Sequence, residues 1–177
     1  MATAETYEKK KSWAASHSLA LSAKGREIGE IPPVVNPLRR ASCERDFRLY
    51  CETYHPETYH LGWSDDHLTV IKQIEDSVLS GGLFATAMPR GSGKSSLSET
   101  ACEWAANYGH RDYVALIGSD EGAATRMLES IKTEYEVNEL LLEDFPEICY
   151  PIAKLEGIAH RCNGQTHQGE RTHIGWT

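Results

Sequence analysis

Leu83-Phe84-Ala85-Thr86-Ala87-Met88-Pro89-Arg90-Gly91-Ser92-Gly93-Lys94-Ser95-Ser96 is the stretch whose reading decides the fold. Leu83 to Met88 is a short apolar run with the length of a buried strand. Glycine, serine and lysine then follow in the order Gly91-Ser92-Gly93-Lys94-Ser95. From Lys94 to Tyr108 the residues Leu97, Ala101, Trp104, Ala105 and Tyr108 recur on one helical side, with Gly109 past the end. Strand, glycine turn and helix together form the construction that holds a phosphate chain. Glycines let backbone N–H groups converge on phosphate oxygens. The helix that starts there adds unpaired N–H donors and about half a positive charge. In this arrangement Lys94 would reach the β- and γ-phosphates of ATP, and the Ser95 hydroxyl would bind Mg²⁺. Gly91, Ser92, Gly93 and Ser96 would line the bound phosphates. The common G-x-x-x-x-G-K-[ST] pattern places its first glycine where this chain has Met88. Arg90 would lie against phosphate oxygens, where a guanidinium forms two-pronged contacts. The competing readings are a Gly-Ser turn that merely starts an ordinary helix, and an Arg90 that faces solvent.

Working outward, Glu30-Ile31-Pro32-Pro33-Val34-Val35-Asn36-Pro37 reads as an extended step, because a residue before proline avoids helix. Asn36 with Pro37 is a helix start. Phe47, Tyr50, Cys51 and Tyr54 form an apolar helical stripe that stops before Pro56. Ser64, followed by Asp65 and Asp66, starts a further helix, with Leu68, Ile71, Ile74 and Val78 on its buried face and Gly81-Gly82 at its end. Downstream of the loop, Tyr113 to Ile117 reads as a second buried strand. Ala124, Met127, Leu128 and Ile131 mark another helix, and Gly164 to Thr177 suits a strand or hairpin. Strand, helix, strand, helix with short joints predicts an α/β fold, a parallel sheet with right-handed crossovers.

The formal net charge is −8, which argues against a general nucleic-acid coat but leaves room for a local basic surface. The chain has no apolar run of bilayer length, and its start, Met1-Ala-Thr-Ala-Glu-Thr-Tyr-Glu-Lys, lacks the apolar stretch of a signal peptide. A cytoplasmic protein without membrane contact is expected. The cysteines Cys43, Cys51, Cys102, Cys149 and Cys162 are odd in number and follow no framework spacing, so they read as reduced thiols. Lys9-Lys10-Lys11 with Ala14 and Ala15 reads as a short solvated helix or a loose arm.

Met88-Pro-Arg-Gly-Ser-Gly-Lys-Ser95 resembles the loop of terminase large subunits of tailed phages, which replace the first glycine in this way. Trp63-Ser-Asp-Asp-His67 lies upstream at the distance where that family places its adenine-side segment. His110 to Ser119 resembles the family's second strand. Asp144 to Pro151 and Leu155-Glu-Gly157 resemble a stretch before its acidic strand. The likeness runs from about residue 30 onward. It implies an ATPase that drives viral DNA into a preformed capsid, with ATP and Mg²⁺ as cofactors. It also implies double-stranded DNA, the small terminase subunit and the portal as partners, and an oligomer on the capsid in the host cytoplasm. By the resemblance, Arg90 and Lys94 act on the γ-phosphate and His67 stands near the adenine. The fold implied is the P-loop NTPase type, a parallel sheet flanked by helices, incomplete here, with a helical N-terminal extension. Residues 1–35 would form a mobile arm. Residues 36–177 would be the N-terminal part of the ATPase domain, stopping before the paired acids that follow a later strand and before any nuclease carboxylates. Little hydrolysis is then expected from this chain alone.

Asp120-Glu121 could imitate the Mg²⁺-holding acid and general base, but follows the loop helix early and also suits a helix cap. Cys43, Cys51, His55 and His60 invite a zinc reading but lack a close cysteine pair, and His160, Cys162 and His167 fare no better. The alternatives to a packaging motor are a non-catalytic nucleotide-binding or interaction module, such as a prophage remnant, and another nucleotide hydrolase of helicase-like or kinase-like type.

Overall fold

A computed structural model describes residues 9–17, 27–154, 165–168 and 170–171. The chain divides into two compact units, residues 1–32 with 150–177, and residues 33–149.

In the first unit, residues 9–17 form helix α1, exposed along its length. Trp13 stacks on His17 one turn later, with ring centroids 4.9 Å apart. The expected solvated helix is therefore present, while most of the remaining arm lies outside the described residues. Tyr150 donates its hydroxyl proton to the Ile28 carbonyl at 3.1 Å, and Gln165 donates to the Pro151 carbonyl at 2.8 Å. Strands β1 (Thr166–His167) and β2 (Glu170–Arg171) pair antiparallel, Thr166 opposite Arg171 and His167 opposite Glu170. This short ladder falls in the stretch expected to hold a strand or hairpin; residues 164, 169 and 172–177 of that stretch, like Cys162 and His160, lie outside the described residues.

The second unit is helical, and local sequence explains where most of its helices begin. Asn36 accepts from the Arg39 N–H and starts α2 (Pro37–Cys43). Asp46 accepts from the Leu49 N–H and starts α3 (Phe47–Tyr54). The start at Asn36-Pro37 and the stripe before Pro56 thus belong to separate helices, because Asp46 acts as a second cap. Ser64 starts α4 (Asp65–Ser80) with a reciprocal capping box to His67. Then come α5 (Lys94–Asn107), α6 (Glu121–Val137), α7 (Glu139–Asp144) and α8 (Pro146–Ala153), in which the unit ends.

Aromatic rings hold these helices together. Phe47, Tyr50 and Tyr54 of α3 and Trp104 of α5 are buried, as is Phe145 after α7. Phe47 meets Trp104 at 5.3 Å between centroids, and Phe145 meets Tyr54 at 5.6 Å and Tyr108 at 5.1 Å. Each such ring contributes roughly 1.5–3 kcal/mol by leaving water. Leu68 and Val78, expected on the buried face of α4, are less covered than Ile71 and Ile74; Leu68 is 37% exposed.

The expected parallel sheet is not formed. Residues 81–89 and 113–118 carry no strand pairing, and among the described residues the β1–β2 ladder is the sole sheet. Leu83 and Ile117, read as interior residues of strands, stand 103% and 88% exposed. A strand exists only when a second strand pairs with it, and an apolar run does not reveal whether that partner is present. Here the aromatic faces of the helices form the core, and both apolar runs stay outside it. The P-loop NTPase type of fold, a parallel sheet flanked by helices, is therefore replaced by a helical assembly in which the glycine loop leads directly into α5.

Candidate phosphate-binding site

The loop between residue 88 and α5 turns twice through the left-handed region, at Gly91 (φ +83°) and Gly93 (φ +75°). Only glycine adopts such angles without a steric penalty. A Cβ at either position would meet no heavy atom within 4 Å, so backbone rotation and not crowding demands the glycines. Side chains close the starts of α2, α3, α4, α6 and α7. By contrast, α5 opens on Gly93 without a side-chain cap. Its first N–H groups therefore lack a capping side chain at the end that carries the positive dipole, a condition that favours an anion.

The side chains of the loop tie down its carbonyl groups. Lys94 folds back and donates from Nζ to the Met88 carbonyl at 2.7 Å and the Pro89 carbonyl at 2.8 Å. An ammonium has three donors, so these contacts leave it a proton for an incoming oxygen. Ser92 donates its hydroxyl proton to the Pro89 carbonyl at 2.8 Å. Arg90 and Ser95 are exposed, and Ser96 is half-buried. Arg90 therefore faces solvent, as its competing sequence reading has it.

His67 joins this loop from α4. Its Nε2 lies 3.0 Å from the Ser92 carbonyl oxygen. The Ser64 N–H donates to Nδ1 at 3.4 Å, and the Ser64 hydroxyl lies 2.7 Å from the same nitrogen. Nδ1 is thus the acceptor, and Nε2 carries the proton that it donates to Ser92. A cleft of about 230 Å³ lies alongside, lined by Tyr59, Trp63, His67, Gly91, Ser92 and Ser96 among others. Tyr59 and Trp63 approach to 5.2 Å between centroids, and Trp63 stands edge-on to His67 at 5.9 Å. Small-molecule pockets usually measure ~300–1,000 Å³, so this cleft suits a ring system, with the remainder of a ligand lying over the open loop. The structure thus brings His67, Gly91, Ser92, Gly93 and Ser96 to one cleft. Lys94 borders a different, mainly apolar cavity of about 310 Å³ between α4, α5 and residues 84–86.

Asp120 accepts from the Ala123 N–H at 2.8 Å and caps α6, the plainer of its sequence readings. Cys43 and Cys51 are fully buried, and burial pushes both thiols above the ordinary range. Among the described residues no group of three histidine, cysteine or acidic side chains could hold a metal ion. Ser95, the residue expected to contact Mg²⁺, stands exposed in the first turn of α5.

Sequence reading missed a buried charge cluster behind the cleft. His55 Nε2 lies 2.9 Å from Glu103 Oε2, and Nδ1 lies 3.5 Å from Glu134 Oε2. Burial pushes the imidazole pKa down, but the two carboxylates outweigh burial and hold it at about 9, above the ordinary 6.5. Burial raises the Glu103 carboxyl, and the His55 contact lowers that of Glu134. His55 stands edge-on to Tyr59, which bonds Thr100 of α5 at 2.8 Å. The sequence carried one hint of this cluster, an acid at position 103 directly beside the core Trp104. Comparison with protein-family models, with curated proteins and with solved structures returns no match to this chain.

Proposed function

We propose that residues 90–96 bind the phosphates of ATP with Mg²⁺, as the nucleotide-binding part of a motor like the terminase large subunits that package viral DNA. The observation that carries this reading is the uncapped start of α5 behind two left-handed glycines, with the Lys94 ammonium folded over the same loop. The helix end attracts negative charge, the glycines admit it closely, and the lysine supplies a full positive charge. Arg90 adds a second cation from the exposed side, and the Ser95 hydroxyl would join Mg²⁺. The cleft of Tyr59 and Trp63 next to the loop offers ring faces for the base. The assignment to DNA packaging rests on the resemblance of residues 88–95 and the segments around them. Double-stranded DNA, the small terminase subunit, the portal and assembly into an oligomer on the capsid belong to that same proposal. Use of Asp120 as the cap of α6 favours nucleotide binding over hydrolysis by these residues alone, which keeps the non-catalytic module as the second reading.

A thermal shift with and without ATP–Mg²⁺ tests the proposal. Ligand at 100 times its dissociation constant stabilises a fold by about 2.7 kcal/mol. The wild-type chain should show that stabilisation and Lys94→Ala should lose it. An equal shift in both would place the nucleotide somewhere other than this loop.

A further inference from the structure

We propose that His67 is a positioning residue that latches the phosphate loop to α4, and that it does not bind the base. This inference rests on the phosphate-site reading above and changes the role of one of its residues. Both ring nitrogens of His67 are already committed: Nδ1 to Ser64 at the start of α4, Nε2–H to the Ser92 carbonyl. A neutral imidazole has one donor and one acceptor in its plane, so nothing remains to contact an adenine edge. What the bond does to the loop follows from its electrostatics. A loop that holds an anion must present N–H groups to it and keep carbonyl oxygens turned away, because a carbonyl dipole repels phosphate. The carbonyls of Met88 and Pro89 are held by Lys94, and Pro89 also accepts from the Ser92 hydroxyl. The Ser92 carbonyl immediately precedes Gly93, the residue whose rotation opens α5, and it is held by His67. Lys94 must share its protons with an incoming phosphate, whereas His67 can keep its bond throughout.

His67 is itself well braced. Its backbone N–H donates to Ser64 Oγ at 3.4 Å, completing the capping box, and Trp63 stands edge-on to its ring. The Trp63 indole N–H in turn donates to Glu52 at 2.7 Å on α3. The orientation of the Ser92 peptide is thereby referred to α3 and α4, which lie outside the loop.

Isothermal titration with inorganic tripolyphosphate and with ATP, both with Mg²⁺, separates a latch from a base contact, because tripolyphosphate has no base. The variants are His67→Ala, His67→Gln and Lys94→Ala in the full chain, with unfolding curves to verify that each is folded. In His67→Gln the new amide offers a carbonyl for the Ser64 N–H and an N–H for Ser92, and glutamine is a residue type that completes ordinary capping boxes. The latch requires that His67→Ala weaken both ligands by the same factor, roughly five-fold for one neutral hydrogen bond, and that His67→Gln recover most of it. Loss of ATP affinity with tripolyphosphate affinity intact would overturn the latch and make His67 a base contact. Amide hydrogen exchange without ligand distinguishes the two proposals. Faster exchange at Ser92 to Lys94 in His67→Ala, with no wild-type binding of either anion, retains the latch as a structural tie and defeats the nucleotide reading. Unchanged exchange together with unchanged affinities overturns the latch and leaves the phosphate site standing on Lys94→Ala.

Discussion

Asp144→Ala should destabilise the helical unit more than any surface change, and the contacts of Asp144 set the magnitude. The side chain is completely buried. Its Oδ2 accepts from the Tyr54 hydroxyl at 2.7 Å and from Arg39 Nε at 2.6 Å. Its Oδ1 accepts from Arg39 Nη2 at 2.9 Å and from the Asn36 N–H at 3.2 Å. One carboxylate therefore ties α2 and α3 to the end of α7. Alanine strands the Tyr54 hydroxyl, on a residue 1% exposed, at a cost of about 1–3 kcal/mol. Removing one partner of a buried ion pair usually costs ~3–5 kcal/mol. Arg39 keeps its bond to Glu143 at 2.5 Å, and its side chain is 23% exposed, so its charge is not stranded. The total therefore falls at the low end, about 3 kcal/mol, or roughly 6–12 °C in Tm for a chain of this length. Urea and thermal unfolding followed by circular dichroism measure it. Tyr54→Phe removes the stranded hydroxyl, so the double variant should be more stable than the sum of the single losses implies, by about 1 kcal/mol. A loss below about 1 kcal/mol for Asp144→Ala, or strict additivity with Tyr54→Phe, would refute this account of the core.

Two further outcomes follow from the same structure. The folded-state pKa of His55 is raised, to about 9 from 6.5, so its contribution is complete below pH 6.5 and is lost as pH rises through about 9. Urea midpoints should fall across that window by the equivalent of roughly 3 kcal/mol, and His55→Gln should flatten the curve; an equal slope in the variant would clear His55 of the effect. Gly93→Ala should cost about 1–2 kcal/mol in unfolding measurements, from the φ of +75° and not from crowding, since its Cβ would meet open space. A stabilising effect there would show that the loop does not hold this angle in solution.

Features set by neighbours in the chain were legible without any structure. A cap needs only a side chain within reach of an N–H three residues on, which is why Asn36, Ser64 and the Ser119-Asp120 step could be read as helix starts. The stripe Phe47, Tyr50, Cys51, Tyr54 repeats with the helical period, and all four residues are buried. The glycine-serine-lysine loop and the helix behind it were legible for the same reason. The two apolar runs read as parallel strands were misread, because ladder bonds come from elsewhere in the chain, and an apolar run looks the same with or without them. Tertiary structure also decided which polar groups went inside. Tyr54 and Asp144 meet across 90 residues, and His55 at the end of α3 meets Glu103 of α5. It decided the role open to His67 too, whose partner Ser92 lies 25 residues away. The physical division is one of range. Local hydrogen bonds and side-chain periodicity are written into a few consecutive residues. Partners for strands, buried charges and the loop carbonyl exist only once the helices have packed.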